Sequence, residues 1–157
     1  MLGYCKIGIW QDDEMDYIEI DGHKLHLFRT GDETKPKLVF MSGSGTVSPV
    51  YDFKILYEKL VSDFRIIVIE KFGYGCSDLY EGPCDVDSVV AYQRIALENA
   101  GEKGPYILLP HSMSGLEAIR WKQNIRMRSA QSSAWIWLSP PPILHGATNS
   151  LNSGCAS

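Results

Sequence analysis

The order of elements in this 157-residue chain predicts an α/β fold, a β-hairpin leading into a mainly parallel sheet with flanking helices. Two observations carry the prediction. An alternating segment folds back on an Asp-Gly pair near the start, and three short apolar runs, separated by stretches of helical spacing, follow it. Strands that alternate with helices build parallel sheets.

Each element has its own local reason. Asp16 to Arg29 alternates polar and apolar residues on both sides of Asp21-Gly22, the pair that supplies the positive φ angles of a tight hairpin turn. Pro36–Met41 is a short apolar run ending in Ser42-Gly-Ser-Gly45, a buried strand entering a tight loop. Tyr51 to Ser62 sets Phe53, Ile55, Leu56 and Leu60 near helical spacing. Arg65–Glu70 is a second buried strand, followed by the glycines of Phe72-Gly-Tyr-Gly75. Asp85 to Ala100 predicts a helix with an aspartate N-cap and Gly101 just past its end. Pro105–Leu109 is a third buried strand. Ser114 to Lys122 predicts a last helix with Leu116, Ile119 and Trp121 as its apolar positions.

Composition narrows the function classes. Fifteen basic against 19 acidic residues give a formal charge of −4, which argues against nucleic-acid binding. Apolar residues at 45% and charged residues at 22% mark a globular chain. Pro140 to Pro142 interrupt the last apolar region, and no run is long enough for a membrane span. Met1 to Asp16, an N-terminal extension, lacks the basic flank and apolar core of a signal peptide. Cys5, Cys76, Cys84 and Cys155 have no framework spacing, so reduced thiols in a cytoplasmic protein are expected.

Function in such sheets gathers at the carboxyl ends of the strands, where Ser42–Thr46, Lys71–Asp78 and Pro110–Gly115 lie. Leu109-Pro-His-Ser-Met-Ser-Gly115 places Ser112 in a sharp turn between a buried strand and a helix. It resembles the nucleophile elbow of the α/β-hydrolase superfamily, normally Gly-x-Ser-x-Gly. A strained serine there needs small neighbours two residues away, so that strand and helix can approach. Ser114 meets that need in place of the second glycine, whereas Pro110 replaces the first and departs from the pattern.

Two further segments extend the resemblance. Ser42-Gly-Ser-Gly45 stands where the family has its oxyanion loop, and Glu70-Lys-Phe-Gly-Tyr-Gly-Cys-Ser-Asp78 resembles the acidic, glycine-rich turn after the family's fourth strand. The three occur in family order between Tyr17 and Gln123, which identifies residues 17–123 as a partial α/β-hydrolase domain, the N-terminal half of that fold. The resemblance implies Ser112 as nucleophile toward an ester, amide or peptide carbonyl. It implies the N–H groups of Met113 and Ser44 as the oxyanion hole, each donor worth roughly 3–4 kcal/mol of barrier. The helix after Ser112 adds its positive dipole end. No cofactor or metal is expected, and the expected partner is a small-molecule ester, amide or peptide, with no nucleic acid and no membrane.

Other readings of the same residues are weaker. His111 is expected to be a packing residue, because its backbone position beside Ser112 cannot aim the ring at the hydroxyl. His23 and His26 lie three apart on a strand, hence on opposite faces, and are expected to be solvated rather than metal ligands. Ser42–Thr46 lacks the third glycine of a dinucleotide-binding loop, which leaves a nucleotide-binding α/β module as a remote alternative.

A serine nucleophile needs a base and an orienting acid, which in this superfamily follow it in the order acid, then histidine. After Ser112 the chain holds one acid, Glu117, a turn into the adjacent helix, and one histidine, His145, in a Pro/Gly/Ser-rich tail. A complete triad is absent. All 19 acidic residues fall between Asp12 and Glu117, so composition changes near residue 123. Any codons for Trp135-Ile-Trp-Leu138, read one base earlier, spell Leu/Met/Val, then Asp, then Leu/Met, then Ala/Val, a family-like strand end carrying an acid. The expectation is therefore a frameshift at about Gln123–Asn124, residues 124–157 being an aberrant Ser/Pro-rich tail; a genuine divergent tail is the alternative. The strand before the elbow would lose a partner, with Ala134–Leu138 apolar enough to pair there, and marginal stability is expected. The expected function is a serine hydrolase, weak or inactive in this form, with a non-catalytic remnant as the alternative.

Overall fold

The computed structural model describes residues 15–128 and 135–136, with side chains described for residues 16–124. β1 (Met15–Ile20) and β2 (His23–Thr30) form the hairpin, with Ile20 opposite His23. Asp21 and Gly22 take φ of 51° and 77°, the two left-handed residues that a type I′ turn requires. β2 pairs antiparallel with β4 (Arg65–Glu70), which pairs parallel with β3 (Lys37–Met41); β3 in turn pairs parallel with β5 (Tyr106–Pro110). β6 (Trp135–Ile136) adds two residues alongside β5, giving the order β1-β2-β4-β3-β5-β6. The central strands β3 and β4 are covered on both faces, which is why they read as unbroken apolar runs.

Alternation along each strand sends side chains into two separate layers. On one face Val39, Met41, Ile67, Ile69 and Leu108 pack with Val90, Ala96 and Leu97 of α3 (Val86–Asn99) and with Ala118 and Trp121 of α4 (Ser114–Arg128). On the other, Leu38, Phe40, Ile66 and Val68 pack with Val50 of α1 (Pro49–Asp52) and Tyr57 of α2 (Lys54–Leu60). The single helix expected over residues 51–62 is thus two short ones meeting at Phe53, the first starting at Pro49, whose fixed φ suits a first helical turn. α3 begins at Asp85, whose carboxylate accepts from the N–H groups of Asp87 and Ser88 at 3.0 and 3.1 Å. It ends with Gly101 N–H on Glu98 O and Glu102 N–H on Leu97 O, a Schellman motif.

That motif delivers Glu102 to the amino ends of the strands. There its carboxylate pairs with Lys37 at 2.7 Å, Arg65 at 3.1 Å and Arg29 at 3.3 Å. Burial raises the Glu102 carboxyl, but the hydrogen bonds and charges of Lys37 and Arg65 outweigh it and hold the group below its usual range. One acid therefore clamps the end of the sheet away from the candidate site.

α4 departs from expectation in two ways. It continues to Arg128, past the position where the composition changes, and it buries Ser114, Glu117, Ala118 and Trp121 while Leu116 and Ile119 stay 53% and 44% exposed. Two of its three apolar positions, Leu116 and Ile119, therefore point outward. Among the described residues no helix is long and apolar enough to cross a membrane.

Candidate active site

Ser112 occupies the turn between β5 and α4 with φ of +56°, a left-handed conformation that a side-chain-bearing residue adopts at a cost. Its neighbours hold it there. Ser114 is fully buried, and its hydroxyl accepts from the His111 N–H at 2.8 Å and lies 2.8 Å from the carbonyl oxygens of Met41 and His111, to either of which its single proton can be donated. Ser114 is therefore more than a small residue in place of a glycine. It ties the turn to the end of β3. Pro110 lies opposite Met41 in the β3–β5 register, where the parallel ladder runs from the His111 N–H to Met41 O at 2.9 Å, so the missing Pro110 N–H costs no bond to β3.

The loop after β3 lies directly under the elbow. A β-carbon on Gly43 would meet Ser112 Cβ at 2.8 Å and His111 O at 2.9 Å, so only glycine fits this buried position. Sequence reasoning singled out Ser44 and passed over Gly43; the signal available was a glycine at the first turn of a loop expected to face the elbow. Ser44 and Met113 are both exposed, and their N–H groups make no hydrogen bond with another described residue. The Ser112 side chain is likewise exposed and without such a partner. A hydroxyl on a strained turn can attack a carbonyl carbon, and N–H groups at the start of α4 and in the loop after β3 can receive the oxyanion that develops.

Glu70, at the end of β4, organises the third loop. One carboxylate oxygen accepts from Cys76 N–H at 2.7 Å and faces His26 Nδ1 at 2.9 Å; the other accepts from Ser48 Oγ and Val50 N–H, both at 3.3 Å. Its carbonyl accepts from Ser77 Oγ at 2.6 Å. A β-carbon on Gly75 would overlap the Glu70 carboxylate, so the turn closes only with glycine there. His26 is 3% exposed, which corrects the expectation that it is solvated: a side chain from β4 supplies the partner that offsets the cost of its burial.

The donor atoms of His26, Glu70 and Cys76 lie within 4.8 Å of one another. The arrangement nevertheless serves the loop, because both Glu70 oxygens are occupied and Cys76 is disulfide-bonded. That disulfide also corrects the expectation of four reduced thiols; Cys84 is free, and Cys5 and Cys155 lie outside the described residues. Glu117, the acid after Ser112, is buried and bonded to Lys71 Nζ at 2.8 Å and Gln93 Nε2 at 2.8 Å, an anchor of α4 to β4 and α3. The ring of His111 packs edge-on to Phe53 at 6.0 Å. His145 and the tail beyond Ile136 lie outside the described residues.

The hairpin, the parallel strands flanked by helices and the strand–Ser112–helix turn together make the N-terminal half of the α/β-hydrolase fold. No protein-family model matches the chain. Over 107 residues, 68% of its length, the chain is 42% identical to YbdG, an uncharacterised protein of Bacillus subtilis (strain 168), and the match spans 33% of that protein. Among solved structures it is similar to a proline iminopeptidase-related protein of Thermus thermophilus, at 22% identity and a TM-score of 0.63, covering 72% of this chain and 41% of that one. It is also similar to an α/β hydrolase fold protein of Burkholderia ambifaria, at 18% identity and a TM-score of 0.59, covering 67% and 37% of the two chains. The chain thus spans about a third of the curated relative and about two fifths of these structures.

Proposed function

We propose that the chain carries the nucleophile half of a serine hydrolase acting on a small ester, amide or peptide. Ser112 is the nucleophile, and the N–H groups of Met113 and Ser44 receive the oxyanion. The observation that carries the reading is the left-handed Ser112, exposed at the junction of β5 and α4. Non-glycine residues hold that conformation where the surroundings enforce it, and such strain clusters at functional positions.

On this reading the isolated chain is weak or inactive. Glu117 is held by Lys71 and Gln93, and His111 packs on Phe53. Neither stands as acid and base to the serine. A proton acceptor contributes roughly 10²–10⁴-fold to such a reaction, so its loss leaves the oxyanion hole and binding alone. A fluorophosphonate probe tests the assignment: slow labelling at Ser112, abolished by Ser112→Ala, is expected. No labelling of the folded chain over many hours would favour the second reading, a non-catalytic remnant of the fold.

Residues 124–157 are read as a frame-shifted segment, on the absence of acids after Glu117 and the Asp that an earlier frame restores across the codons of Trp135 and Ile136. Resequencing the coding DNA decides this. A stop codon in the earlier frame soon after Gln123 would remove the idea.

A further inference from the structure

We propose that His26, Glu70 and Cys76 bind a zinc ion when the disulfide of Cys76 is reduced. The site lies where the loop after β4 crosses β2, and it is independent of the reading of Ser112.

The donor set is the first observation. A ring nitrogen of His26, a carboxylate oxygen of Glu70 and the Cys76 sulfur lie within 4.8 Å of one another. Around a tetrahedral zinc, with bonds of about 2.0–2.3 Å, such donors stand roughly 3.3–3.8 Å apart, so a contraction of about 1 Å closes the set. Imidazole, carboxylate and thiolate are all zinc ligands, and the two anions among them match a dication.

The second is a nitrogen with nothing to bond. His26 is 3% exposed, and its Nε2 has no hydrogen-bond partner among the described residues, while Nδ1 faces Glu70 at 2.9 Å. A buried polar atom left without a partner calls for a cause. With the Nδ1 proton donated to the carboxylate, the lone pair rests on Nε2, the form in which a histidine held by an acid ligates a metal. A metal bond supplies the partner that the ring lacks.

The third is the framework. Glu70 Oε2 faces both other residues, His26 Nδ1 at 2.9 Å and the Cys76 N–H at 2.7 Å. The His26 N–H donates to Ser77 Oγ at 2.8 Å, and Ser77 Oγ donates to Glu70 O at 2.6 Å. Lys24 N–H donates to the Asp78 carboxylate at 2.7 Å, and Asp78 N–H to Lys24 O at 2.8 Å. These bonds hold the segment carrying Cys76 against β2 without help from the sulfur. Cys76 is partly exposed, which gives the ion a path in.

The disulfide and the ion compete for one sulfur. A dithiol reductant passes two electrons and two protons to the bridge, which becomes two thiols as the dithiol becomes its own disulfide. Zinc then takes the Cys76 thiolate, and the thiol proton passes to solvent.

The experiment uses the full chain with Cys5→Ser, Cys84→Ser and Cys155→Ser, which leaves Cys76 as its one thiol, and Co²⁺ as the spectroscopic probe. One Co²⁺ per chain is expected, with a thiolate-to-cobalt charge-transfer band that Zn²⁺ removes. Adding Cys76→Ser should abolish the band. It should also weaken Zn²⁺ binding, read by competition with a chromophoric chelator, by at least about tenfold. Zn²⁺ should shift the NMR ring signals of His26 and leave those of His23 and His111 in place. The same His26 shift in the unmodified chain after phosphine reduction checks the site without substitution. The unmodified oxidised chain should show neither band nor shift. A band without movement of His26 means that the sulfur binds alone, and it overturns the site. So does a folded, reduced chain with neither signal. Equal binding by the oxidised chain overturns the gating by the disulfide.

Discussion

Gly43 and Ser112 are in direct contact across the carboxyl end of the sheet, with space for a hydrogen but not a methyl group: a β-carbon on Gly43 would lie 2.8 Å from Ser112 Cβ. The loop after β3 therefore fixes how far the turn can settle, and that loop and Ser112 are positioned as one unit. Gly43→Ala forces one of them to move. The expected result is a destabilisation of about 1–3 kcal/mol, the usual cost of overpacking, together with loss of fluorophosphonate labelling at Ser112. Urea melts and intact-mass spectrometry measure the two; an unchanged labelling rate would mean that the contact does not set the geometry of the serine.

Ser112 itself stores strain that glycine would release. Its φ of +56° suits a residue without a β-carbon, so Ser112→Gly should stabilise the chain by about 1 kcal/mol while abolishing reactivity. Ser112→Ala keeps the β-carbon and should change stability by less than about 0.5 kcal/mol. The comparison reads out in urea midpoints at constant m-value. Equal stability of the two variants would show that the turn carries no strain.

Lys71 and Glu117 form a buried pair at 2.8 Å that fastens α4 to the end of β4. Lys71→Met leaves a carboxylate buried beside Gln93 alone, at an expected cost of about 3–5 kcal/mol. Adding Glu117→Leu removes the stranded charge, so the double variant should be more stable than the sum of the single changes implies. A double-mutant cycle should return a coupling of at least about 1 kcal/mol. Strict additivity would show that the two side chains act independently.

Glu102 makes stability depend on acid. Its carboxyl is held below the usual value because the bonds and charges of Lys37 and Arg65 outweigh the cost of burial. A depressed folded-state value contributes stability that is present above the ordinary carboxylate value near 4.5 and is lost as pH falls through the lower folded one. Unfolding free energy measured from pH 6 down to about pH 3 should therefore fall less steeply in Glu102→Gln than in the parent chain. Parallel curves would rule Glu102 out as a contributor.

Much of the fold was legible because it is encoded over short spans. The alternation around Asp21-Gly22, the apolar runs of β3, β4 and β5, and the Asp85 cap with Gly101 behind α3 each specify local backbone geometry without reference to distant residues. The turn holding Ser112 was legible for the same reason, as small residues between a strand and a helix. Side-chain burial was not. His26 was expected in water and is buried, and Glu117, which the sequence placed only as an acid one turn into α4, is buried too, because Glu70 and Lys71 on and just after β4 reach them from far along the chain. Cys76 was expected as a thiol and is disulfide-bonded, a pairing that no spacing in the chain announces.

The sequence by itself determined the order of strands and helices and the turn that presents Ser112. Only the tertiary structure decided that Gly43 packs under Ser112, that the Ser114 hydroxyl locks the elbow to Met41, and that α4 turns Leu116 and Ile119 outward while burying Glu117. The physical reason lies in range. Turn and strand preferences act over a few residues, whereas the side a helix buries depends on which charged and polar partners the rest of the fold brings against it. On α4 the partners are Lys71, Gln93 and the end of β3, and they hold Glu117 and Ser114 inside while Leu116 and Ile119 stay exposed.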